Sequence, residues 1–539
     1  MSPVERASPL SSNRGRTPRT WSRVQSFSIR VYHSSVRRHS SILRPLGFAV
    51  LLAVPQSPVT IAPQQSGSQV SPEYIDPHIS RIERGLLPAA VIHGQSLPEM
   101  KLSDRMKYYN VPGVSIAVFD KGQIMWARGY GFADVSASKR VTRDTLFQAA
   151  SISKSITAFA ALRLVQQGKL NLDEEVNNKL VSWKILENEF TKNEKVTLRR
   201  MLSHTAGLTV GGFAGYVAGE PLPTTVQILN GQKPANNEAV RVDRTPGKEF
   251  RYSGGGYVAV QLLLMDVTHK SFPELMHDLV LEPLGMTRST FEEPLRKSLW
   301  PEAAQPYASN GAPVEGGWRI DPEMAPAGLW TTPSDLALFA IEVQNACAGQ
   351  SKLLSSALAH EMLAYQSEEI YGLGVALAQR GHPLRFWHSG SNGGYKSLFE
   401  AYAEGRQGLV IMTNGDSGLR LIGEIQRAVA QEYMWPDGRP QEHTVVKIDP
   451  RVLRAFTGAY LFSGLFKFTV TEKNGKLYVQ YPPFGQEALE LLAESDNRFF
   501  TTSQPFVIEF QREADGSIKK AKAWNGPEGL EGEKISDTR

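Results

Sequence analysis

A serine and a lysine three residues apart begin the segment of this chain best suited to chemistry. Ser151 and Lys154 lie in the run from Phe147 to Gly168, where apolar residues recur nearly all round a helical wheel. This pattern predicts one buried helix that begins at the serine and stops at the glycine. Side chains at this spacing leave the first turn on one face, so the hydroxyl and the amine can meet there.

The position of Lys154 is unusual for a purely structural residue. A cation in the first turn opposes the positive end of the helix dipole, and an apolar surrounding disfavours its charge further. Both effects would make this lysine usable as a base or proton relay for Ser151. Because Ser-x-x-Lys is short enough to occur by chance, the alternative is a helix-capping serine beside a lysine that reaches solvent.

Two more segments carry polar groups that can join such a pair. Tyr252 stands before Ser-Gly-Gly-Gly and an apolar helix predicted over 258–267, and the glycines would leave a bare cavity wall. His388-Ser-Gly390 ends a strand-like run, so it can present a side chain and backbone N–H groups beside a cleft. The structural alternatives are a glycine-rich turn with a packed tyrosine and an ordinary turn histidine.

The elements that must position these groups come from distant parts of the chain. Val114–Phe119 and Gln123–Tyr130 predict a hairpin around Asp120-Lys121-Gly122, and the segment between about 170 and 340 is mostly helical. Further strand-like runs then follow at Tyr371–Ala378, Leu384–Trp387, Lys396–Tyr402 and Gly408–Met412, before a helix at about 418–434. The order predicts an α/β (α+β) fold, in which helices flank one antiparallel sheet and the middle segment is an inserted, mostly helical subdomain.

The chain after Lys447 has a different pattern, with short strands and tight turns. Phe466–Val470 and Leu477–Tyr481 flank Asn474-Gly475, a strong hairpin signal, and Asp515-Gly516 marks another turn. We therefore predict a small β-rich, barrel-like domain. The predicted domains are a leader and linker over 1–75, a main domain over 76–440 and the β-rich domain over 441–539.

The net charge of +5 comes from the start of the chain, where the first 45 residues hold nine arginines and one acid, Glu5. The remaining chain has 50 basic and 53 acidic residues, so the positive net charge is not evidence for a basic face, and we expect no nucleic-acid partner. Leu46–Val54 is an apolar run behind this basic stretch that resembles a signal peptide and is too short to span a bilayer. We expect export to the periplasm or beyond, with an uncleaved membrane anchor left open. Cys347 is the one cysteine, which excludes an intrachain disulfide and a cysteine metal cluster.

Taken together and in order, the motifs resemble the serine β-lactamase and penicillin-binding-protein-like hydrolases. The resemblance is to the branch with class C β-lactamases, D-alanyl-D-alanine carboxypeptidases, D-aminopeptidases and related esterases, and it covers residues from about 80 to about 435. It rests on Ser151-x-x-Lys154, Leu202-Ser-His-Thr-Ala-Gly-Leu208, Tyr252-Ser-Gly254, Pro283-Leu-Gly-Met286, Gly328-Leu-Trp-Thr-Thr-Pro-Ser-Asp-Leu336 and His388-Ser-Gly390.

This resemblance implies catalysis through an acyl-enzyme, and because the sequence has no metal-binding motif we expect no cofactor or metal. Ser151 would be the nucleophile, and Lys154 and Tyr252 would share the role of general base. A phenol becomes a useful base only where cations stabilise its anion, and Lys154 and a protonated His388 would supply them. The backbone N–H groups of Ser151 and Ser391 would form the oxyanion hole.

The remaining assignments concern the substrate and the scaffold. The resemblance implies substrate-binding positions at His388, Ser389, Gly390 and Gly254. His204 is assigned to the scaffold, because its motif is typical of helix termination.

Two departures from the family pattern bear on the substrate. Members that cleave β-lactams or peptides usually have Asn where this chain has Gly254, and His388-Ser-Gly stands in place of the usual Lys-Thr-Gly. Both favour an ester or small amide as the small-molecule substrate over efficient β-lactam turnover, and cell-envelope fragments are further candidate partners.

The sequence leaves other functions to consider. One is a β-lactamase or D-amino-acid peptidase, and another is a penicillin-binding or cell-wall-sensing module that is acylated without turnover. A metallohydrolase is disfavoured, because the sequence has no His-x-Glu-x-x-His-like or His-x-His-x-Asp cluster and His360-Glu361 lacks a second histidine.

Overall fold

The computed structural model describes residues 72–367, 371–378, 383–462, 466–481, 488–524 and 529–536. Most of the predicted leader and linker, including the signal-like run Leu46–Val54, lies outside the described residues. No helix in the described ranges is both long and apolar enough to cross a membrane.

The α-helices in these ranges are α1 (Pro72–Arg84), α2 (Leu102–Tyr108), α3 (Ser153–Gln166), α4 (Leu198–Leu202), α5 (Thr225–Asn230), α6 (Gly254–Thr268), α7 (Phe272–Met276), α8 (Glu282–Leu284), α9 (Met324–Ala327), α10 (Pro333–Cys347), α11 (Ser356–Met362), α12 (Gly418–Glu432) and α13 (Pro450–Leu453). The strands are β1 (Ala90–Ile92), β2 (Gly113–Asp120), β3 (Gln123–Asp134), β4 (Lys139–Arg140), β5 (Phe147–Gln148), β6 (Trp330–Thr331), β7 (Ala376–Ala378), β8 (Arg385–Asn392), β9 (Tyr395–Tyr402), β10 (Gly408–Thr413), β11 (Gln441–His443), β12 (Gly458–Phe462), β13 (Phe466–Lys473), β14 (Lys476–Gln480), β15 (Leu489–Ala493), β16 (Arg498–Phe500), β17 (Val507–Arg512), β18 (Ile518–Trp524) and β19 (Gly529–Ser536).

The main sheet joins strands from both sides of the helical middle segment. Its order is β4-β3-β2-β10-β9-β8-β7, and each neighbouring pair is antiparallel. Strands β2 and β10 pair with Gly408 opposite Phe119 and Thr413 opposite Val114. Strands almost 300 residues apart in the chain therefore lie side by side. This confirms the predicted antiparallel sheet built from distant segments, with helices around it.

Helices cover both faces of this sheet. In β2, Val114, Ile116 and Val118 pack in the core shared with α1, α2 and α12, whereas Ala117 and Phe119 pack in the larger core that contains α3 and α10. This alternation follows from the pleat of a strand, which sends successive side chains to opposite faces. The larger core surrounds α3 on all sides, as the apolar pattern of that helix predicted.

Several predicted element boundaries differ from the structure. Strand β8 continues to Asn392, so His388-Ser-Gly390 lies inside the strand rather than at its end. The Phe147–Gly168 segment divides into β5, a 3-10 turn over Ala150–Ile152 and α3, so the serine lies just ahead of the α-helix. Gly168 does end that helix, with φ of 70°. Helix α6 begins at Gly254, four residues before the predicted start, because the Ser253 side chain caps it. Of the predicted strand at 371–378, only β7 is a strand in the structure, and Tyr371 forms an isolated bridge to Ala376.

The C-terminal strands β12 to β19 form a closed antiparallel barrel, which confirms the predicted barrel-like domain. Aromatic and aliphatic side chains, including Phe456, Phe499 and Phe510, fill its core. Asn474 and Gly475 have φ of 54° and 74° between paired strands β13 and β14, as expected for the predicted two-residue hairpin turn.

The barrel is attached to the main domain through a two-stranded parallel pair and a ring stack. β1 pairs with β11, and the ring of His443 at the end of β11 stacks on Phe500 of β16 with centroids 4.2 Å apart. The backbone N–H of Ala89 also donates to the carbonyl of Thr502 at 2.8 Å.

Candidate active site

The turn that carries Ser151 is held by the segment around α9 and β6. β5 pairs with β6, and the N–H of Ala149 donates to the carbonyl of Leu329 at 2.8 Å. The N–H of Leu329 in turn donates to Ser153 Oγ at 3.1 Å. Between these contacts Ala150 has φ of 50°, a left-handed conformation that is uncommon for a residue with a β-carbon. The turn is therefore fixed by tertiary contacts rather than by its own preferences.

Lys154 lies in the first turn of α3 with its amine beside Ser151. Its Nζ is 3.0 Å from Ser151 Oγ and donates a second hydrogen bond to the carbonyl of Pro326 at 2.9 Å. The side chain is buried, and Nζ lies 4.9 Å from the centroid of the Tyr252 ring. These distances allow a proton to pass between the serine hydroxyl and the lysine amine.

Tyr252 is half-buried and immediately precedes the cap of α6. Ser253 Oγ accepts from the N–H of Gly256 at 2.9 Å and donates to the carbonyl of Thr209 at 2.8 Å. The cap fixes the chain direction at the start of the helix, so the tyrosine ring points to the same region as Lys154.

His388 lies in β8 and is neutral, so the expectation that its protonated form stabilises a phenolate is wrong. Burial, and to a smaller extent the nearby charge of Lys154, lowers the pKa of His388 to about 3. Its Nδ1 donates to the carbonyl of Ser389 at 2.7 Å, and its Nε2, 3.1 Å from the Tyr371 hydroxyl, accepts from that group. The network therefore assigns the ring proton to Nδ1, and His388 supplies no positive charge to Tyr252.

The structure brings β8 close to the Ser151 turn. A β-carbon on Gly390 would lie 2.0 Å from the carbonyl oxygen of Ala149 and 2.3 Å from Ser397 Oγ. Only glycine can be accommodated where β8 comes this close to the Ser151 turn. The close packing places Ser391, the predicted second member of the oxyanion hole, on the wall of the cavity that also contains Ser151.

That cavity has a volume of about 330 Å³ and brings together most of the predicted site. Its lining residues are Ser151, Phe250, Tyr252, Tyr371, Ala376, Trp387, His388, Ser389 and Ser391. Four of these are large aromatic side chains, so the walls beside the serine are mainly apolar. The size and lining suit a small substrate with an apolar group next to the reacting carbonyl.

A second, more polar cavity of about 310 Å³ adjoins the first and shares Ser391 with it. Its charged lining residues are Arg319, Asp321, Lys396 and Asp416. Lys396 Nζ is 2.7 Å from Asp416 Oδ1, and Asn392 donates to Asp321 at 2.9 Å. Burial raises the pKa of Asp321 to about 7, so this carboxyl group changes charge near neutral pH.

Gly254 lies in the first turn of α6 and is not among the residues lining either cavity. A β-carbon there would meet the ring of Phe213 at 2.9 Å and the carbonyl oxygen of Gly211 at 3.2 Å. The space that a side chain at position 254 would need is therefore taken by the edge of Phe213, which lines the polar cavity.

Several site residues were not predicted from the sequence. Phe250 lies two positions before Tyr252, and Trp387 lies directly before His388. Their closeness to these predicted motifs was a signal that could have identified both. Tyr371 begins a predicted strand, but nothing marked it as the partner of His388. The backbone carbonyl of Pro326 has no sequence signal, because any residue supplies that group.

Two family models match the chain. The first, described as Beta-lactamase, matches residues 100–432, and the second, described as a domain of unknown function (DUF3471), matches residues 442–529. The chain therefore belongs to the beta-lactamase family.

Two curated proteins and one solved structure are similar to this chain. The chain is 28% identical over 236 residues to "Protein flp" of Staphylococcus aureus strain N315, a match over 42% of this chain and 42% of the relative, so less than half of that protein's length is matched. It is 24% identical over 421 residues to "Penicillin-binding protein 4*" of Bacillus subtilis strain 168, covering 74% of this chain and 89% of the relative. The octameric penicillin-binding protein homologue from Pyrococcus abyssi has the same fold, with a TM-score of 0.54, 23% identity and coverage of 80% of this chain and 98% of that chain.

Proposed function

We propose that this protein hydrolyses small carboxylic esters through an acyl-enzyme on Ser151, with small amides and peptides as slower substrates. The observation that carries the proposal is the 3.0 Å contact between Lys154 Nζ and Ser151 Oγ beside a cavity with aromatic walls. A lysine amine held by a neighbouring carbonyl is placed to accept the serine proton as the hydroxyl attacks.

The proposed reaction has two halves. In acylation, Ser151 Oγ attacks the ester carbonyl carbon, its proton passes to the general base that Lys154 and Tyr252 share, and the tetrahedral oxyanion accepts from the N–H groups of Ser151 and Ser391. Collapse breaks the bond to the alcohol oxygen, which takes up that proton and leaves. In deacylation, the same base takes a proton from water as the water oxygen attacks the acyl carbon. Collapse breaks the bond to Ser151 Oγ, which takes up that proton as the acid leaves.

The preference for esters rests on the surroundings of Gly254. A glycine there has no amide side chain to orient the carbonyl of an amide substrate, and the ring of Phe213 occupies the adjacent space. One missing neutral hydrogen bond at a desolvated site is worth about 1 to 3 kcal/mol, or roughly one to two decades in rate. Activated esters depend less on such orientation and on leaving-group protonation than amides do.

A turnover panel tests the substrate class. We expect kcat/KM to be highest for short-chain aryl esters, lower for D-amino-acid amides and lowest for a chromogenic cephalosporin under the same conditions. Ser151→Ala should abolish all three activities, and Ser309→Ala, at an exposed serine, should change none. Faster turnover of the cephalosporin than of the esters would contradict the proposal, and a stable acyl-enzyme with every substrate would indicate a penicillin-binding module instead.

Replacing the missing amide tests the role of Gly254 directly. Because Phe213 lies in the way, Gly254→Asn should shift the ratio of amide to ester turnover only when combined with Phe213→Ala. Phe213→Ala alone is the matched control. If the double variant has the same ratio as that control, the ester preference has another origin.

A further inference from the structure

We propose that His204, which the sequence pattern assigned to the scaffold, is the positioning residue that fixes Tyr252 for proton transfer. This inference rests on the proposed function, because it gives Tyr252 a share of the general-base role. His204 follows α4 and is buried, with 2% of its surface exposed, so it does not itself line the catalytic cavity.

His204 forms hydrogen bonds to the backbone on both sides of the tyrosine. Its carbonyl oxygen accepts from the N–H of Arg251 at 2.8 Å, and its ring Nδ1 accepts from the N–H of Ser253 at 3.0 Å. The residues before and after Tyr252 are thus bonded to one residue. Moving the tyrosine backbone toward or away from Ser151 would break at least one of these bonds.

The imidazole ring also limits the orientation of the phenol. Its centroid lies 4.2 Å from the centroid of the Tyr252 ring, and it further contacts the rings of Tyr371 at 4.9 Å and Tyr257 at 5.3 Å. Lys154 Nζ lies 4.9 Å from the Tyr252 ring centroid. These contacts keep the phenol beside the amine that bonds to Ser151.

The chemistry of the histidine indicates a specific role for Nδ1. Since Nδ1 accepts a hydrogen bond, the ring proton is on Nε2, which is buried and has no hydrogen-bond partner in the described part of the chain. An unpaired buried donor destabilises the fold, a cost that a phenylalanine at this position would avoid. Burial and the charge of Lys154 hold the pKa of His204 well below its ordinary value, so Nδ1 remains an acceptor near neutral pH.

Two substitutions separate the acceptor from the ring. His204→Asn places an amide oxygen close to the Nδ1 position, and asparagine tolerates the left-handed φ of 61° found here. His204→Leu removes the acceptor at similar volume. With an aryl ester, we expect His204→Leu to lower kcat roughly 10- to 100-fold while KM changes less than about threefold, and His204→Asn to restore most of the loss.

A double-mutant cycle with Tyr252→Phe distinguishes positioning from general support of the fold. If His204 acts through Tyr252, His204→Leu should lower kcat less than about twofold further in the Tyr252→Phe background. Equal losses in both backgrounds, or an unchanged kcat in His204→Leu alone, would overturn the proposal. Should His204→Leu not fold, as judged by its unfolding transition, His204→Gln replaces it, because its amide reaches the Nε2 position instead.

The same measurements separate this inference from the proposed function. Ester hydrolysis that survives Ser151→Ala would refute the function, whatever the cycle gives. Activity that depends on Ser151, together with additive losses at His204 and Tyr252, would refute only the positioning role.

Discussion

Gly390 in β8 passes so close to Ala149 that a β-carbon on the glycine would lie 2.0 Å from the alanine carbonyl oxygen. This contact sets the separation between the strand that carries His388, Ser389 and Ser391 and the turn that carries Ser151. A backbone oxygen cannot give way as a flexible side chain can. We therefore expect Gly390→Ala to push the strand away and to lower kcat/KM for an aryl ester by about 100-fold or more.

Gly393, in the turn after β8, provides the matched control. A β-carbon there has no heavy atom within 4 Å, so Gly393→Ala should retain kcat/KM within about twofold. Full activity in Gly390→Ala, with both variants folded, would mean that the approach of β8 to Ser151 does not matter for the reaction.

Removing either proposed base should slow acylation without unfolding the protein. Positioned acids and bases typically contribute on the order of 10²- to 10⁴-fold, so Lys154→Ala and Tyr252→Phe should each lower the acylation rate by that range. Stopped-flow measurement of alcohol release under single-turnover conditions gives the rate. Lys169→Ala, at an exposed lysine beyond the end of α3, is the control. Normal acylation in either base variant would refute the proton path.

Much of this proton path could be predicted from the sequence. A spacing of three residues places Ser151 and Lys154 side by side whether the serine lies in α3 or in the turn before it, so the misplaced helix start did not affect the pairing. That start depends on the bonds of Ser153 to Ala150 and Leu329, and a residue 176 positions away leaves no local signal. The charge of His388 was mispredicted for a similar reason, since its burial against Tyr371 is a tertiary property.

The sheet and the barrel followed from local patterns more directly. Strand pairs with a strong turn, such as those flanking Asn474-Gly475, were predicted because the turn needs two residues with positive φ. The predicted strand at 371–378 is shorter in the structure, because Gly374 has φ of 81° and packs against Ala158 of α3. No periodicity shows such a contact.

A buried carboxyl group near the polar cavity predicts a defined pH dependence of stability. Burial raises the pKa of Glu323 from its ordinary 4.5 to about 8. Because the folded-state pKa lies above the unfolded value, the contribution of this group to the free energy of unfolding is fully present below pH 4.5. It is lost progressively as the pH rises to about 8. Glu323→Gln removes this loss, so its free energy of unfolding relative to the parent protein should rise by about 1.4 kcal/mol per pH unit in that window.

Urea unfolding of both proteins at several pH values between 5 and 8 measures this difference. Glu315→Gln, at an exposed glutamate, should give a curve parallel to that of the parent protein. A parallel curve for Glu323→Gln as well would show that the buried carboxyl group does not titrate as described.

The residues before α1 should be dispensable for catalysis. The predicted leader and linker are polar or signal-like, and α1 begins at Pro72. A truncated chain that begins at Gln69 should remain soluble and retain kcat/KM for an aryl ester within about twofold. Lost activity in a truncated protein with an unchanged unfolding transition would mean that the leader contributes to the site.

The most direct test of the account is covalent labelling of Ser151, the serine hydroxyl that lies 3.0 Å from a buried lysine amine. Intact-mass analysis after treatment with a fluorophosphonate should show one adduct, and peptide mapping should place it on Ser151. The Ser309→Ala protein should be labelled like the parent protein, and Ser151→Ala should not be labelled. Labelling that survives Ser151→Ala would contradict the assignment of the nucleophile.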